Sequence, residues 1–308
     1  MKSTESLHVD DDFDSLIYRR TSRSSIGLHE KEDTGVPSNS QSASIQRSFS
    51  ALPPKLNVKL FIHEEVTSMQ EKKHALDDIS CHVTIEGTVH AQVISSGGTK
   101  NPPFAFRISD PDYPEDNYQF NPNVVTYFGS GEFNTLNLPK AVLGQVKVAS
   151  HRRSVTKKFM PILVQSKVVR TGPHLETCIL AIQIRSNLKN KGSLKGLVVT
   201  CAVPPTVNSK TLNITHGQGA FDDLKRVIRW NVKELPVGNS TFFGAEVEVC
   251  LGNILIDEMP KFPVLLRCHS SADTVSSVEV DLKQIEGSPA TITAQTNSSF
   301  RLLHRLPS

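Results

Sequence analysis

One segment, Arg226–Gly238 (RVIRWNVKELPVG), limits the possible folds of this chain more than any other. In it Ile228, Trp230 and Val232 alternate with polar or charged residues, and a Pro-Val-Gly turn signal follows. Strict period-two alternation predicts a β-strand with one buried face. Trp230 is the only tryptophan of the chain, and a large aromatic side chain on the apolar face indicates a core strand.

The same alternation recurs along the chain, in segments that turn signals separate. The apolar faces of these predicted strands lie in Ile79–Ile85, Val89–Val93, Phe104–Ile108, Leu180–Ile184, Ala245–Val249 and Val278–Leu282. Leu197–Val203 is nearly all apolar, which predicts a strand covered on both faces. Many short strands without interposed helices predict an all-β sandwich fold.

Two local patterns predict a short helix and a β-hairpin in the first half of the folded part. Val66–Ala75 has the apolar spacing of a short helix. Glu86-Gly87 separates two alternating runs and predicts the turn of a β-hairpin. In that hairpin His82 and His90 lie on outward positions and approach each other, but two histidines without a third ligand are a weak metal signal.

The first 53 residues differ in composition from the rest of the chain. They are rich in Ser, Thr and charged residues and poor in apolar ones, so they cannot bury enough surface to offset the entropy lost on ordering. This predicts a disordered arm over 1–53 and a folded part over 54–308. An Arg precedes Ser22 and Ser50 by three residues, the spacing that basophilic kinases prefer, so both are candidate phosphorylation sites.

The formal net charge of +3 is mildly basic. No compact Lys/Arg stripe with interleaved aromatic residues is present, so we expect no nucleic-acid partner. Arg152, Arg153, Lys157 and Lys158 form a candidate patch for anionic lipid headgroups, with an ordinary solvated surface as the alternative. No apolar run reaches the length of a membrane-spanning helix and no signal sequence is evident, which favours the cytosol. Five cysteines without CxxC spacing then predict reduced, mostly buried thiols.

A search for catalytic motifs finds no P-loop, dinucleotide-binding glycine motif, HExxH zinc motif, EF-hand loop or nucleophile elbow. His216–Gly219 (HGQG) superficially resembles the oxyanion loop of some esterases, but a polar loop between strands explains it better. Asp110, Asp112, Glu115 and Asp116 cluster without the spacing of a calcium loop. We therefore expect no catalytic residue, no metal and no cofactor.

Four segments in chain order carry a family resemblance: Pro161–Val164, Leu180–Ile184, Gly196–Pro205 (GLVVTCAVPP) and Arg226–Gly238. Together they resemble the second half of a mu homology domain, as found in medium chains of clathrin adaptor complexes, in stonins and in muniscins. The most specific element is the strand around Trp230 followed by Leu-Pro-x-Gly. The first half of the folded part is most like the muniscin version, and the resemblance covers Leu56–Ser308.

The resemblance implies two elongated β-sandwich subdomains, one inserted in the other. Subdomain A would comprise 54–159 plus 268–308, and subdomain B would comprise 160–267. In medium chains the last strands carry a Trp-x-Arg pair that builds the pocket for tyrosine-based sorting peptides. Arg301 and Leu303 stand near those places here, so we expect no binding of such peptides in that pocket.

The function that the resemblance implies is that of a non-catalytic adaptor in clathrin-mediated endocytosis. Such an adaptor is cytoplasmic and peripheral at the plasma membrane, in clathrin-coated pits, and binds cargo tails, endocytic scaffold peptides and anionic lipid. A medium-chain-like or stonin-like sorting adaptor at another compartment stays open. So do a purely structural β protein and a β-sandwich hydrolase or carbohydrate-binding module, which would need a clustered nucleophile and base or an exposed aromatic platform.

Overall fold

β-strands make up all the regular secondary structure in the residues that the structure, a computed structural model, describes. Those residues are 55–72, 79–95, 101–112, 118–127, 133–138, 144–155, 160–250, 259–288 and 290–307. The all-β prediction is confirmed. Within these ranges no helix is long and apolar enough to cross a membrane. The predicted arm over 1–53, with Ser22 and Ser50, lies outside them.

Seventeen strands follow one another along the described ranges. The first seven are β1 (Lys55–Lys72), β2 (Ile79–Ser95), β3 (Phe104–Ser109), β4 (Gln119–Phe120), β5 (Val125–Tyr127), β6 (Asn134–Leu136) and β7 (Val146–Val155). The next seven are β8 (Ile162–Thr171), β9 (Thr177–Ser186), β10 (Leu194–Ala202), β11 (Val207–His216), β12 (Gly219–Asp222), β13 (Val227–Leu235) and β14 (Ser240–Val249). The last three are β15 (Val264–Ser270), β16 (Glu279–Lys283) and β17 (Thr291–Leu306).

The strands form three sheets. A nine-stranded sheet has the order β12-β13-β10-β15-β17-β1-β2-β7-β4, and two four-stranded sheets have the orders β11-β14-β9-β8 and β16-β3-β6-β5. The first small sheet lies wholly within 160–267, the second lies wholly outside that range, and the large sheet takes strands from both parts. The division into subdomains A and B stays a prediction.

Each small sheet shares a hydrophobic core with a different half of the large sheet. One core contains Trp230, Leu197 and Leu266 together with residues of the β11-β14-β9-β8 sheet. The other contains Leu56 and Leu60 of β1 together with Phe104, Phe106 and Leu136 of the β16-β3-β6-β5 sheet. The long strands β1 and β2 run through both cores. One half of each strand buries apolar side chains against the first small sheet and the other half against the second, and both halves gain stability from this burial.

β1 corrects the prediction of a helix over Val66–Ala75. The strand continues through Val66 to Lys72 and pairs with β17 on one side and β2 on the other. All even-numbered residues from Leu56 to Gln70 are buried, which is the period of a strand. Pairing with β2 through Lys72 and with β17 through Met69 overrides a short helical spacing, because the sheet supplies partners for the backbone groups that a helix would have paired internally.

β2 corrects the prediction of a hairpin at Glu86-Gly87. The strand is continuous from Ile79 to Ser95, and Gly87 lies in the middle of it, paired with Glu64 and His151. His82 and His90 are therefore eight residues apart on one strand, about 27 Å, and do not approach each other.

Gly87 is required where it stands because the His151 ring occupies the space of a side chain. A Cβ atom on Gly87 would lie 2.0 Å from Cε1 of His151, whose own side chain is buried. We expect Gly87→Ala to lower the free energy of unfolding by about 1–3 kcal/mol through overpacking. Thermal unfolding measures the change, with Gly144→Ala as the matched control, since nothing lies within 4 Å of a Cβ atom there. Equal melting temperatures for the two variants would refute this account.

Candidate interaction surfaces

The predicted lipid patch is divided by the pleat of β7. Arg152 points outward, is 76% exposed and forms an ion pair with Glu86, with 3.3 Å between Nε and Oε1. Arg153 is buried, forms an ion pair with Asp110 and donates a hydrogen bond to the Tyr118 hydroxyl oxygen at 3.4 Å. Arg153 therefore cannot belong to a surface patch, because successive side chains of a strand face opposite sides. Lys157 and Lys158 lie outside the described residues.

A buried polar cluster separates the two cores where β1, β2 and β7 pass from one to the other. Glu64 of β1 and His151 of β7 flank Gly87 of β2, and Oε1 of Glu64 lies 3.8 Å from Nε2 of His151. The Glu64 carboxylate accepts hydrogen bonds from the backbone nitrogens of Val275 and Ser276 at 2.6 and 3.1 Å, and from the Ser276 hydroxyl. The cluster ties the loop before β16 to the centre of the large sheet.

Burial perturbs the ionisation of both members of this cluster. It raises the pKa of Glu64 above its ordinary value, although the hydrogen bonds from Ser276 and Val275 oppose the rise. It lowers the pKa of His151 to about 4, and the nearby Arg153 guanidinium lowers it further while Asp110 opposes. Perturbed groups of this kind also mark active sites, but here the Glu64 side chain is wholly buried, and its two oxygens accept hydrogen bonds from the backbone of Val275 and Ser276 and from the Ser276 hydroxyl.

The depressed pKa of His151 gives a pH dependence with a definite sign. The unfolded chain binds a proton at this position below pH 6.5, whereas the folded chain does so only near pH 4, so stability is lost as the pH falls through that interval. The loss amounts to about 3 kcal/mol at most. We expect His151→Gln to lose less stability than the wild type between pH 7 and pH 4.5, measured by urea unfolding. Since Glu64 contributes with the opposite sign, the difference between the two proteins isolates His151.

The His216–Gly219 segment closes over the core tryptophan. Nε1 of Trp230 donates a hydrogen bond to the His216 carbonyl oxygen at 3.1 Å. Cβ atoms on Gly217 and Gly219 would lie 3.1 and 2.5 Å from Cδ1 of Trp230, and Gly217 has a φ of +82°. The two glycines thus let the backbone approach the indole ring, which is a packing role and explains the HGQG motif.

Asp110 and Asp112 of the acidic cluster bind other parts of the fold, whereas Glu115 and Asp116 lie outside the described residues. Asp110 is the buried partner of Arg153, and Asp112 accepts a hydrogen bond from the Ser277 hydroxyl at 2.6 Å. Among the described residues, no group of three or more His, Cys, Asp or Glu side chains is placed to hold a metal ion. Cys178, Cys201, Cys250 and Cys268 are free thiols, and burial raises the pKa of Cys201 and Cys268 to about 12.

A groove of about 440 Å³ lies beside β8. β8 is the last strand of its sheet and pairs with β9 alone among the described strands. The groove is lined by residues of β8, β9 and β14 and by the ends of β1 and β17: Gln165, Ser166, Lys167, Ala181, Ile182, Gln183, Phe242, Gln70, Leu306 and Pro307. Phe242 is 57% exposed there. Sequence patterns do not reveal this site, since the exposure of Phe242 follows from its position in β14 and from the strands beside it.

The positions expected to replace the Trp-x-Arg pair lie in the second half of β17. Arg301 is half-buried and forms an ion pair with Glu65 of β1, with 3.5 Å between Nη1 and Oε1. Leu303 is half-buried and lies beside Arg267 of β15. The absence of tyrosine-peptide binding at this place stays a prediction.

These features can now be set beside known proteins. A model of the adaptor complexes medium subunit family matches residues 50–301. The chain belongs to this family. Among solved structures, the Fcho1 mu homology domain of Danio rerio with bound Eps15 peptide is similar with a TM-score of 0.62 at 14% identity, over 82% of this chain and 97% of that one.

Two further relatives are a delta-COP-I domain and an AP-3 complex subunit. The yeast delta-COP-I mu-homology domain complexed with the Dsl1 WxWxV peptide is similar with a TM-score of 0.54 at 11% identity, over 81% of this chain and 97% of that one. The AP-3 complex subunit mu of Dictyostelium discoideum is 23% identical over 141 residues, 45% of this chain and 33% of that protein. The match thus spans one third of that curated relative. The expected mu homology fold is confirmed.

Proposed function

We propose that this mu homology domain protein is a non-catalytic adaptor in clathrin-mediated endocytosis. It binds cargo tails and short peptides of endocytic scaffold proteins while it contacts the anionic inner face of the plasma membrane. The observation that carries the proposal is the similarity of the fold, over most of the chain, to a mu homology domain with bound Eps15 peptide. That the delta-COP-I domain holds a peptide too supports a peptide-binding role.

The groove beside β8 is where this chain offers an extended peptide both kinds of contact it needs. An unpaired strand edge provides backbone donors and acceptors in a row, and a peptide that adds to the edge gains main-chain hydrogen bonds. Phe242, which lines the groove and is 57% exposed, provides apolar contact for its side chains. No reacting group is needed for this activity.

Two measurements test the proposal. A fluorescently tagged full chain should form puncta at the cell surface that overlap clathrin, and a diffuse signal would count against an endocytic role. In solution, Phe242→Asp should weaken binding of scaffold-protein peptides by about tenfold or more, as expected for an aromatic anchor. Leu224→Asp is the matched control, because Leu224 is 99% exposed and lies outside the groove. Equal affinities for both variants would exclude this groove.

A sorting adaptor at another compartment is the second candidate, and the similarity to AP-3 complex subunit mu favours it. In that case the tagged protein labels internal membranes and co-purifies with large adaptor subunits. The same localisation experiment therefore separates the two candidates. Phosphorylation at Ser22 and Ser50, as a switch of either activity, stays a prediction.

A further inference from the structure

The outer face of the large sheet carries three arginines that the sequence does not group. They are Arg229 of β13, Arg267 of β15 and Arg305 of β17, all exposed, and we call this set the arginine face. The registers of β13, β10, β15 and β17 bring them together, because Arg229 lies across from Thr200, Thr200 from Leu265, and Leu265 from Arg305. Arg267 lies two residues further along β15.

None of the three guanidinium groups is neutralised within the described part of the protein. None forms an ion pair or hydrogen bond with another described residue, in contrast to Arg152, Arg153 and Arg301. Half-buried Leu265 and Leu303 lie between them and offer no acceptor, and the hydroxyl of Thr200, which lies between Arg229 and Leu265, forms no hydrogen bond with these arginines. The charge on this face is therefore available to an outside partner.

A second row of basic groups extends the same face. Lys195 of β10 pairs in register with His269 of β15, which pairs with Arg301 of β17. Burial lowers the pKa of His269, and the positive charges of Lys195 and Arg301 lower it further, which shows a positive local potential. Glu234 and Glu65 stand at the two ends of this row.

The arrangement of these charges indicates the partner. At the usual strand spacing and rise, the two rows cover an area of about 14 Å by 14 Å. All four strands are paired on both sides, so an extended peptide cannot gain main-chain hydrogen bonds on this face. Arginine forks fit the oxygens of phosphate groups particularly well, and several charges spread over a plane match a layer of phosphates.

We propose that the arginine face binds the phosphate headgroups of an anionic lipid bilayer. The inference rests on the proposed role at a membrane and replaces the patch at Arg152 and Arg153 with a surface whose charges are unpaired. It orients the molecule with the large sheet towards the bilayer. Most residues that line the groove beside β8 belong to the β11-β14-β9-β8 sheet, and none of the three arginines of the arginine face lines it.

The test is co-sedimentation of the purified full chain with phosphatidylcholine vesicles that contain phosphatidylserine or a phosphoinositide. The variant Arg229→Glu/Arg267→Glu/Arg305→Glu should lose about hundredfold or more in vesicle affinity, since each well-placed basic residue contributes about a fivefold gain. The matched control is Lys189→Glu/Lys210→Glu/Lys283→Glu, which makes the same change in net charge at exposed positions outside the large sheet and outside the groove beside β8. Circular dichroism establishes that both variants fold.

Equal losses in the two triple variants would overturn the proposal, because net charge alone would then explain binding. Retained vesicle binding by the arginine variant, with loss of binding to a poly-glutamate peptide, would also overturn it and assign the face to an acidic protein segment. The localisation experiment tests the proposed endocytic function independently of lipid binding. Vesicle binding that depends on the arginine face, without puncta overlapping clathrin, supports the lipid surface and rejects the endocytic role.

Discussion

Trp230→Ala is expected to lower the free energy of unfolding by about 3–5 kcal/mol, among the largest effects of any single substitution in this chain. The indole ring is fully buried and packs on the Phe243 ring, with 5.6 Å between the centroids. Truncation leaves a cavity and removes the donor to the His216 carbonyl oxygen, so the segment that closes over the ring loses both its packing and its hydrogen bond. Urea unfolding measures the change.

Two control variants separate these contributions. Trp230→Phe keeps an aromatic ring but not the N–H donor, and should cost about 1–3 kcal/mol. Leu224→Ala removes a side chain that is 99% exposed and should change stability by about 0.5 kcal/mol or less. If Trp230→Ala were no more harmful than Leu224→Ala, the place of this strand in the core would be wrong.

The strand around Trp230 was predictable because its pattern is purely local. Ile228 and Trp230 are buried in β13 as their alternation predicts, and Val232 is half-buried. The same holds for Phe104 and Phe106 in β3 and for Leu180–Ile184 in β9. Where every buried position is apolar, the spacing of the apolar residues in the sequence directly shows the two-residue period of the strand.

The same reasoning failed on β1 because some of its buried positions are polar. Glu64, Ser68 and Gln70 occupy inward positions, and their polarity hides the alternation that Leu56, Val58, Leu60 and Ile62 begin. Their partners are distant in sequence. Ser68, for example, shares a hydrogen bond of 2.8 Å with Nδ1 of His304, 236 residues away. Sequence periodicity cannot show that a polar residue is buried when only the folded chain supplies its partner.

From Ile79 to Val93 the apolar residues of β2 all fall on odd-numbered positions, before and after Gly87, and this parity argues against the predicted hairpin. A two-residue turn at Glu86-Gly87 would pair Ile85 with Thr88 and so put Thr88, His90 and Gln92 on the buried face. The apolar residues after the glycine are instead Val89 and Ala91, which keep the parity of Val83 and Ile85. Unbroken parity indicates one continuous strand. By contrast, the arginine face depends on registers between four strands, which no local pattern specifies.

Arg152 and Arg153 offer the sharpest contrast between neighbouring residues, with a large loss of stability expected from one and almost none from the other. Arg153→Met should lower the free energy of unfolding by about 3–5 kcal/mol, because it leaves the Asp110 carboxylate buried without its cation. Arg152→Met breaks an ion pair whose side chains are 76% and 57% exposed, and should cost about 1 kcal/mol or less. Thermal or urea unfolding of the two variants measures the difference.

A double-mutant cycle shows whether the pair itself is responsible. Asp110→Leu alone should also be strongly destabilising, since it leaves the Arg153 guanidinium uncompensated and removes the acceptor for the backbone nitrogen of Asp112. Arg153→Met/Asp110→Leu should lose much less than the sum of the single changes, because a well-packed apolar pair can replace a buried ion pair at little cost. Additive losses, or equal losses at Arg152 and Arg153, would mean that Arg153 does not face the interior. Arg152 and Arg153 would then both belong to the candidate lipid patch with Lys157 and Lys158, since that patch is excluded only because the two arginines point to opposite sides of β7.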